Sequence, residues 1–361
     1  MKRRVLLRYM SGHFLSNTLG AILGFTALIE LLDVLNNATD ILDRKLGVAG
    51  LFHYVLLRLP ATLDQAITLG VLIGGVLTFV QAARHNELIA IRSAGITIYQ
   101  LGALLLPCVA AIAFLHFLVA DQLVPRSASA LSVWWESTTP PGTDDDDSKD
   151  KPVWFRVAGE MVAVDRMSNG GRLLTGIHIY KRDTNGTLIG RITAQEGSYE
   201  NGRWTLKNLV TTTLTSHGAT DKTAGREVWN VRLTPAEVVE LGLPASRLST
   251  QASRSALEGA RPSNRAPSFY EMQIQETYAS ALAAFVMLLL SLPVAFTPTR
   301  SGGGTKFLIT SLVLGLLYLL TNGVLNAFGE SGALPPFVAT WAALVIFTMA
   351  GASLLLNLED R

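Results

Sequence analysis

The chain holds a single cysteine, Cys108, among 361 residues. A lone thiol forms no internal disulfide and assembles no cysteine metal site, so neither can hold this fold together. Charge is scarce as well: Asp, Glu, Lys and Arg make up 16% of the residues, and the formal net charge is only +2. So small an excess supports neither a nucleic-acid binder nor an acidic tail, and the placement of the charges carries more information than their sum. No lysine follows a glycine anywhere, which excludes a Walker A loop and its way of cradling nucleotide phosphates. The zinc-protease pattern H-E-x-x-H is missing too. Gly329-Glu330-Ser331-Gly332 has the G-x-S-G form of an intramembrane serine protease, but no histidine occurs after His217 to act as a base on a later span. The pattern reads instead as a tight turn. No cofactor, metal site or catalytic residue is expected.

What the chain does have is apolar length. Hydrophobic residues make up 49% of it, and the mean hydropathy is +0.34, as in a polytopic membrane protein. The basic start MKRRVLLRYM leads into an apolar run with no small-x-small cleavage pattern, which reads as a retained first span. Six runs approach the roughly 20 residues needed to cross about 30 Å of hydrocarbon. They lie near 14–34, 61–83, 101–120, 278–296, 307–328 and 337–356, the second interrupted by Pro60 and Asp64. Three precede a large polar segment, 121–275, and three follow it.

Orientation follows from basic residues in short loops. With the N-terminus cytoplasmic, that side collects Lys2, Arg3, Arg4, Arg8, Arg84, Arg92, Arg300, Lys306 and Arg361, whereas the opposite short loops hold Arg44, Lys45 and the borderline Arg58. The polar segment then lies outside. It is rich in strand signals at 153–157, 161–167 and 173–183, and further along in TLIGRITAQEGSY, RWTLKNLVTTTLTS and EVWNVRLT. Asn185-Gly186 and Asn201-Gly202 mark hairpin turns, and the spacing indicates a sandwich or jelly roll of about 100 residues. The acidic run 144–147 lacks the alternating ligands of a calcium loop and reads as a solvated loop. Residues 244–267 are rich in Ser, Ala and Arg and read as a linker or a partly ordered return to the membrane.

The stretch RHNELIAIRSAGITIY, 84–99, stands between the second and third runs. Leu88, Ile91 and Gly95 fall on one stripe of a helix while Arg84, Glu87 and Arg92 fall away from it, so a short amphipathic helix is expected that offers its polar side to a soluble partner. Polar residues inside spans each need a reason. Glu30 and Asp33 either reach the interface or face a cavity or gate; Tyr318, Asn322 and Asn326, four apart, either join helices or line a polar path. Gly20 with Gly24, and Gly70 with Gly74, are small-xxx-small pairs suited to close helix packing.

The whole chain resembles the LptF/LptG permease family of the lipopolysaccharide exporter. NELIAIRSAGI resembles the family's acidic residue, short apolar helix and small-Gly pair before the third span. The 3 + 3 topology, the intervening strands and the LPP at 334–336 support it. The resemblance implies a membrane α-helical bundle of six transmembrane helices with an inserted periplasmic β-jellyroll-like domain. It divides the chain into 1–120 with a coupling helix at 84–98, a β domain with linkers at 121–275, and 276–361. It further implies a non-catalytic inner-membrane subunit, with both termini cytoplasmic, that extracts lipopolysaccharide from the membrane and passes it to a periplasmic β bridge. The implied partners are an LptF-type permease chain, an LptB-type ATPase dimer, an LptC-type bridge protein and lipopolysaccharide, with no nucleic acid. The alternative is a membrane-anchored periplasmic binding or scaffold protein.

By the resemblance, Glu87 occupies the acidic coupling position that meets the ATPase, flanked by Arg84 and seated on Leu88, Ile91 and Gly95. The chain departs from the family at the outer end of the first span. Some members carry lysines there that face the phosphorylated head group, but ELLDVLNN, 30–37, holds Glu30, Asp33, Asn36 and Asn37 and no base. Arg44 and Lys45 are the nearest cations; either they, the partner subunit or a divalent cation meets the head group, or the ligand carries less phosphate.

Overall fold

Apolar length and the need to close every backbone hydrogen bond within a segment make helices of the spanning runs. The computed structural model describes residues 2–44, 46–138, 152–183, 187–215, 218–242, 247–296 and 304–359. Lys45, the acidic run 144–147, Asn185, Arg300 and Arg361 lie outside them. The chain divides into two compact units, Met1–Ala128 with Glu271–Arg361, and Ser129–Tyr270.

In the first unit, α1 (Lys2–Asp43) and α2 (Gly47–Arg84) are followed by the short α3 (Glu87–Ser93) and by α4 (Ile98–Leu118). A π turn, Val119–Leu123, carries α4 on into α5 (Val124–Ser137). Among the described residues, six helices are long and apolar enough to cross a membrane, as expected. The second runs on from Gly47 without a break at Pro60. Just past the proline, Thr62 Oγ1 donates to the Leu59 carbonyl at 2.9 Å. The third helix also outlasts its apolar run: the expected boundary at residue 121 falls inside the π turn.

Helices α1 and α2 pack closely along a matched pair of stripes. Met10, Phe14, Thr18, Ile22, Thr26 and Glu30 are buried on α1 at a spacing of four. Gly70 and Gly74 of α2 admit them, since a Cβ at Gly70 would strike Ile22 and one at Gly74 would strike Thr18. Gly20 and Gly24 play no such part, and a Cβ at either would meet nothing within 4 Å. The first and fifth spans are the least covered, with 22% and 17% of their apolar windows buried.

The second unit is an inserted β domain. Strands β1 (Val153–Val157), β2 (Glu160–Ser168), β3 (Leu173–Arg182), β4 (Leu188–Glu200), β5 (Arg203–Thr215) and β6 (Gly218–Trp229) form one antiparallel sheet in sequential order. The order is a meander in which each strand pairs with the next. Asn201 (φ 52°) and Gly202 (φ 78°) make the β4–β5 turn, as their dipeptide predicts.

A crease crosses this sheet. Registers place Asp165, Gly176, Gln195 and Asn208 in one row across β2 to β5. The buried face changes parity there, from Leu174 to Ile177 on β3, from Ala194 to Gly197 on β4, and from Leu206 to Leu209 on β5. Two residues of the row are left-handed, Gly176 at φ 67° and Asn208 at φ 53°, which reverses the alternation without a slip in pairing. Both halves of the sheet thereby bury side chains in one cluster around Trp204, Leu206 and Ile177.

Trp204 is fully buried and its Nε1 donates to the Leu233 carbonyl at 2.7 Å. That bond fixes the entry to α6 (Pro235–Gly242), whose Val238 joins the cluster. The return segment, expected as a linker or a partly ordered stretch, is ordered where it forms α7 (Thr250–Leu257), opened by Ser249 accepting from the Ala252 N–H. It then pairs with β1 through Arg156 and Ser263, whose N–H groups donate to each other's carbonyls at 2.7 and 2.9 Å. With little apolar content, this order comes from capping and backbone pairing. The chain re-enters the first unit along α8 (Pro267–Ser291), a 3₁₀ turn (Leu292–Phe296), α9 (Gly304–Glu330) and α10 (Pro336–Glu359).

Candidate functional site

The elbow between α2 and α4 is built by three local signals. His85 ends α2, and Asn86 takes a left-handed φ of 56° that turns the chain sharply into α3. α3 then ends in a Schellman motif: Ile96 N–H donates to the Ile91 carbonyl and Gly95 N–H to the Arg92 carbonyl. Gly95 has the positive φ, 81°, that this motif requires. Thr97 and Gln100 form a capping box that starts α4. The expected helix over 84–98 is therefore only seven residues long. Arg84 belongs to the end of α2, and Gly95 is the stop of α3 rather than part of its stripe.

Leu88 and Ile91 are buried in the main helical core. Arg84 and Arg92 are exposed, and Glu87 is half-buried. The Glu87 carboxylate is held from α1: Tyr9 Oη donates to Oε1 at 2.7 Å. Tyr9 in turn stands edge-on to His13, with ring centroids 4.6 Å apart. Beside these groups lies a cavity of about 250 Å³ between α1 and the end of α2, lined by Tyr9, His13, Gln81, His85 and Glu87 among others. Asn17 braces the same end, its Nδ2 reaching Thr78 Oγ1 at 3.0 Å and Gln81 Oε1 at 3.1 Å.

A second polar cluster occupies the other end of the α1–α2 pair. Tyr54 Oη donates to Asp33 Oδ2 at 2.6 Å, and Arg58 Nε lies 3.4 Å from the same oxygen. Asn37 Nδ2 donates to the Asp33 carbonyl at 2.8 Å. Glu30 is buried one turn away beside Thr62. Asn36 is exposed, and Arg44 lies at the end of α1. Tyr9 and Asp33 are 24 positions apart on one helix, about 36 Å at 1.5 Å per residue, which is close to the thickness of a bilayer's hydrocarbon core. Sequence reasoning found Asp33 and placed Arg58 at a loop edge; their pairing across two helices needed the α1–α2 register.

The face expected on the fifth span is divided among different neighbours. Tyr318 is buried against Phe347 of α10, ring centroids 5.6 Å apart. Asn326 Nδ2 donates to Glu276 Oε1 of α8 at 3.2 Å, and Asn322 is half-buried. Tyr318 and Asn326 tie helices together. Gly329 to Gly332, the protease-like motif, closes α9 with a second Schellman motif, in which Ala333 N–H donates to the Phe328 carbonyl and Gly332 N–H to that of Gly329. Ser331 Oγ donates to the Phe328 carbonyl, so its hydroxyl serves the cap.

Sequence reasoning also missed a buried pair. His116 Nε2 of α4 stands 3.0 Å from Asp64 Oδ1 of α2, with both side chains buried. Each is a polar residue inside an apolar run, and that shared oddity was the available signal.

The family profile described as Lipopolysaccharide export system permease LptF/LptG matches residues 8–357. The Haemophilus influenzae lipopolysaccharide export system permease protein LptG is 21% identical over 341 residues, covering 91% of this chain and 90% of that protein. The Escherichia coli K12 protein of the same name is 21% identical over 349 residues, covering 94% of each. Six membrane-capable helices, an inserted antiparallel β domain and a match running nearly end to end lead to one conclusion: this chain belongs to the LptF/LptG family of lipopolysaccharide export permeases.

Proposed function

We propose that this chain is the LptG-type half of an ABC exporter in the inner membrane, moving lipopolysaccharide from the membrane to a periplasmic β bridge with energy supplied by a separate ATPase. The observation that carries this reading is the build of α3. Its apolar side, Leu88 and Ile91, is sunk into the helical core, while Glu87 and Arg92 remain accessible, so a partner's push on the polar side moves the core as one body. A well-placed ion pair at Glu87 sets the register of that docking even where its net stabilisation is small. The absence of a Walker A loop from this sequence fits a division of labour in which an LptB-type ATPase dimer hydrolyses the nucleotide.

An LptF-type chain packs against the least covered spans, α1 and α9, where Gly20 and Gly24 leave room for a close helix. The α3 end of the bundle and both termini lie in the cytoplasm, a placement supported by the bias of basic residues in the short loops. The Asp33–Arg58 cluster then sits at the outer face, and Arg58 and Arg44 supply the bases that 30–37 lacks. The β domain hands the lipid to an LptC-type bridge.

The experiment is purification of the chain with its permease partner in mild detergent, followed by titration with the ATPase. Glu87→Ala weakens association by roughly 10- to 150-fold and Glu87→Lys more, on the scale of about 1.5–3 kcal/mol for a hydrogen bond to a charged group. Tolerance of both substitutions, with no ATPase and no glycolipid copurifying, contradicts the reading and leaves the membrane-anchored scaffold.

A further inference from the structure

The Tyr9 to Glu87 bond joins two segments 78 residues apart in sequence. Nothing in the packing of α3 needs it, because α3 is anchored by Leu88 and Ile91 and closed by its own caps. The bond restrains the orientation of the Glu87 carboxylate. One carboxylate oxygen, Oε1, receives the phenol, while the side chain stays half-exposed with acceptor capacity left for a partner. Tyr9 is itself held by the edge-on ring of His13, one helical turn further along α1. The same helix runs from there to Asp33 at its far end.

Resting on the coupling role of Glu87, we propose that Tyr9 is the positioning residue for that carboxylate, presetting it for a cationic group of the ATPase and tying the docking event to α1. A preset side chain spares the entropy of ordering it on binding, about 0.5–1.5 kcal/mol for a flexible side chain, or roughly three- to tenfold in affinity. The phenol opposes no charge, so its contribution appears in association rather than in turnover.

The test uses the purified permease pair in nanodiscs, titrated with the ATPase while association and ATP turnover are followed. Tyr9→Phe keeps the ring and removes only the hydroxyl. It raises the ATPase concentration for half-maximal association about three- to tenfold and leaves turnover at saturation unchanged. In a Glu87→Ala background the same substitution adds nothing, and Glu87→Gln, which keeps an acceptor for Tyr9 but loses the charge, behaves like Glu87→Ala. If Tyr9→Phe matches the wild type while Tyr9→Ala is impaired, the ring touches the partner directly and the positioning role is overturned. Additive losses from Tyr9→Phe and Glu87→Ala also overturn it. An inert Glu87→Ala overturns the coupling reading itself, a result distinct from the other two. Thermal unfolding of each variant shows that the fold is retained.

Discussion

His116 Nε2 and Asp64 Oδ1, 3.0 Å apart and buried, clamp α4 to α2 within the apolar part of the bundle. Removing one member of such a pair leaves the other in a medium that solvates it poorly. His116→Leu is expected to cost about 1–3 kcal/mol. His116→Leu with Asp64→Leu is expected to recover part of that loss, since an apolar contact replaces a buried polar one. Unfolding midpoints in detergent for both singles and the double measure the coupling, and strictly additive losses would show that the pair does not act as a unit.

The crease in the β domain makes a local prediction. At Gly176 the backbone is left-handed and a Cβ would strike the Asp165 side chain. Gly176→Ala is expected to destabilise the domain by about 1–3 kcal/mol, the range for overpacking. Asn208→Ala, at the other left-handed position, removes the 2.9 Å bond from its Nδ2 to Gln195 Oε1 and costs less, about 1 kcal/mol. Protection of Trp204 fluorescence against denaturant reports both.

Gly95 ends α3 in open space, so a substitution there acts through the backbone alone. Gly95→Ala is expected to cost about 1 kcal/mol by straining a left-handed position. The loss should show as faster amide exchange over α3 and weaker association with the ATPase. Unchanged exchange would mean that the Schellman motif does not set the end of α3.

Much of this architecture can be read from the sequence because a membrane leaves few options. Apolar length alone locates six spans, and Asn201-Gly202 locates a turn that the backbone does adopt. Leu88 and Ile91 fall where the helical stripe puts them. What escapes is local backbone detail, and whatever depends on two distant segments meeting. Pro60 looks like a break, yet α2 runs through it from Gly47 to Arg84. Gly95 looks like part of a stripe until its φ shows it to be a stop. Asp33 with Arg58, Tyr9 with Glu87, and His116 with Asp64 are separated by 25, 78 and 52 positions, and no periodicity within one helix joins them. In the return segment the sequence leaves linker and partial order both open, since caps and a backbone bridge need no apolar pattern.

The central claim is that the α3 elbow faces the cytoplasm, where an ATPase can reach it. Ile89, exposed on α3, is the place to ask. With Cys108 replaced by Ser, an Ile89→Cys chain in intact cells is treated with a membrane-impermeant thiol reagent, before and after the inner membrane is opened. The account predicts labelling only after opening; labelling in intact cells would place the elbow outside the membrane and contradict it.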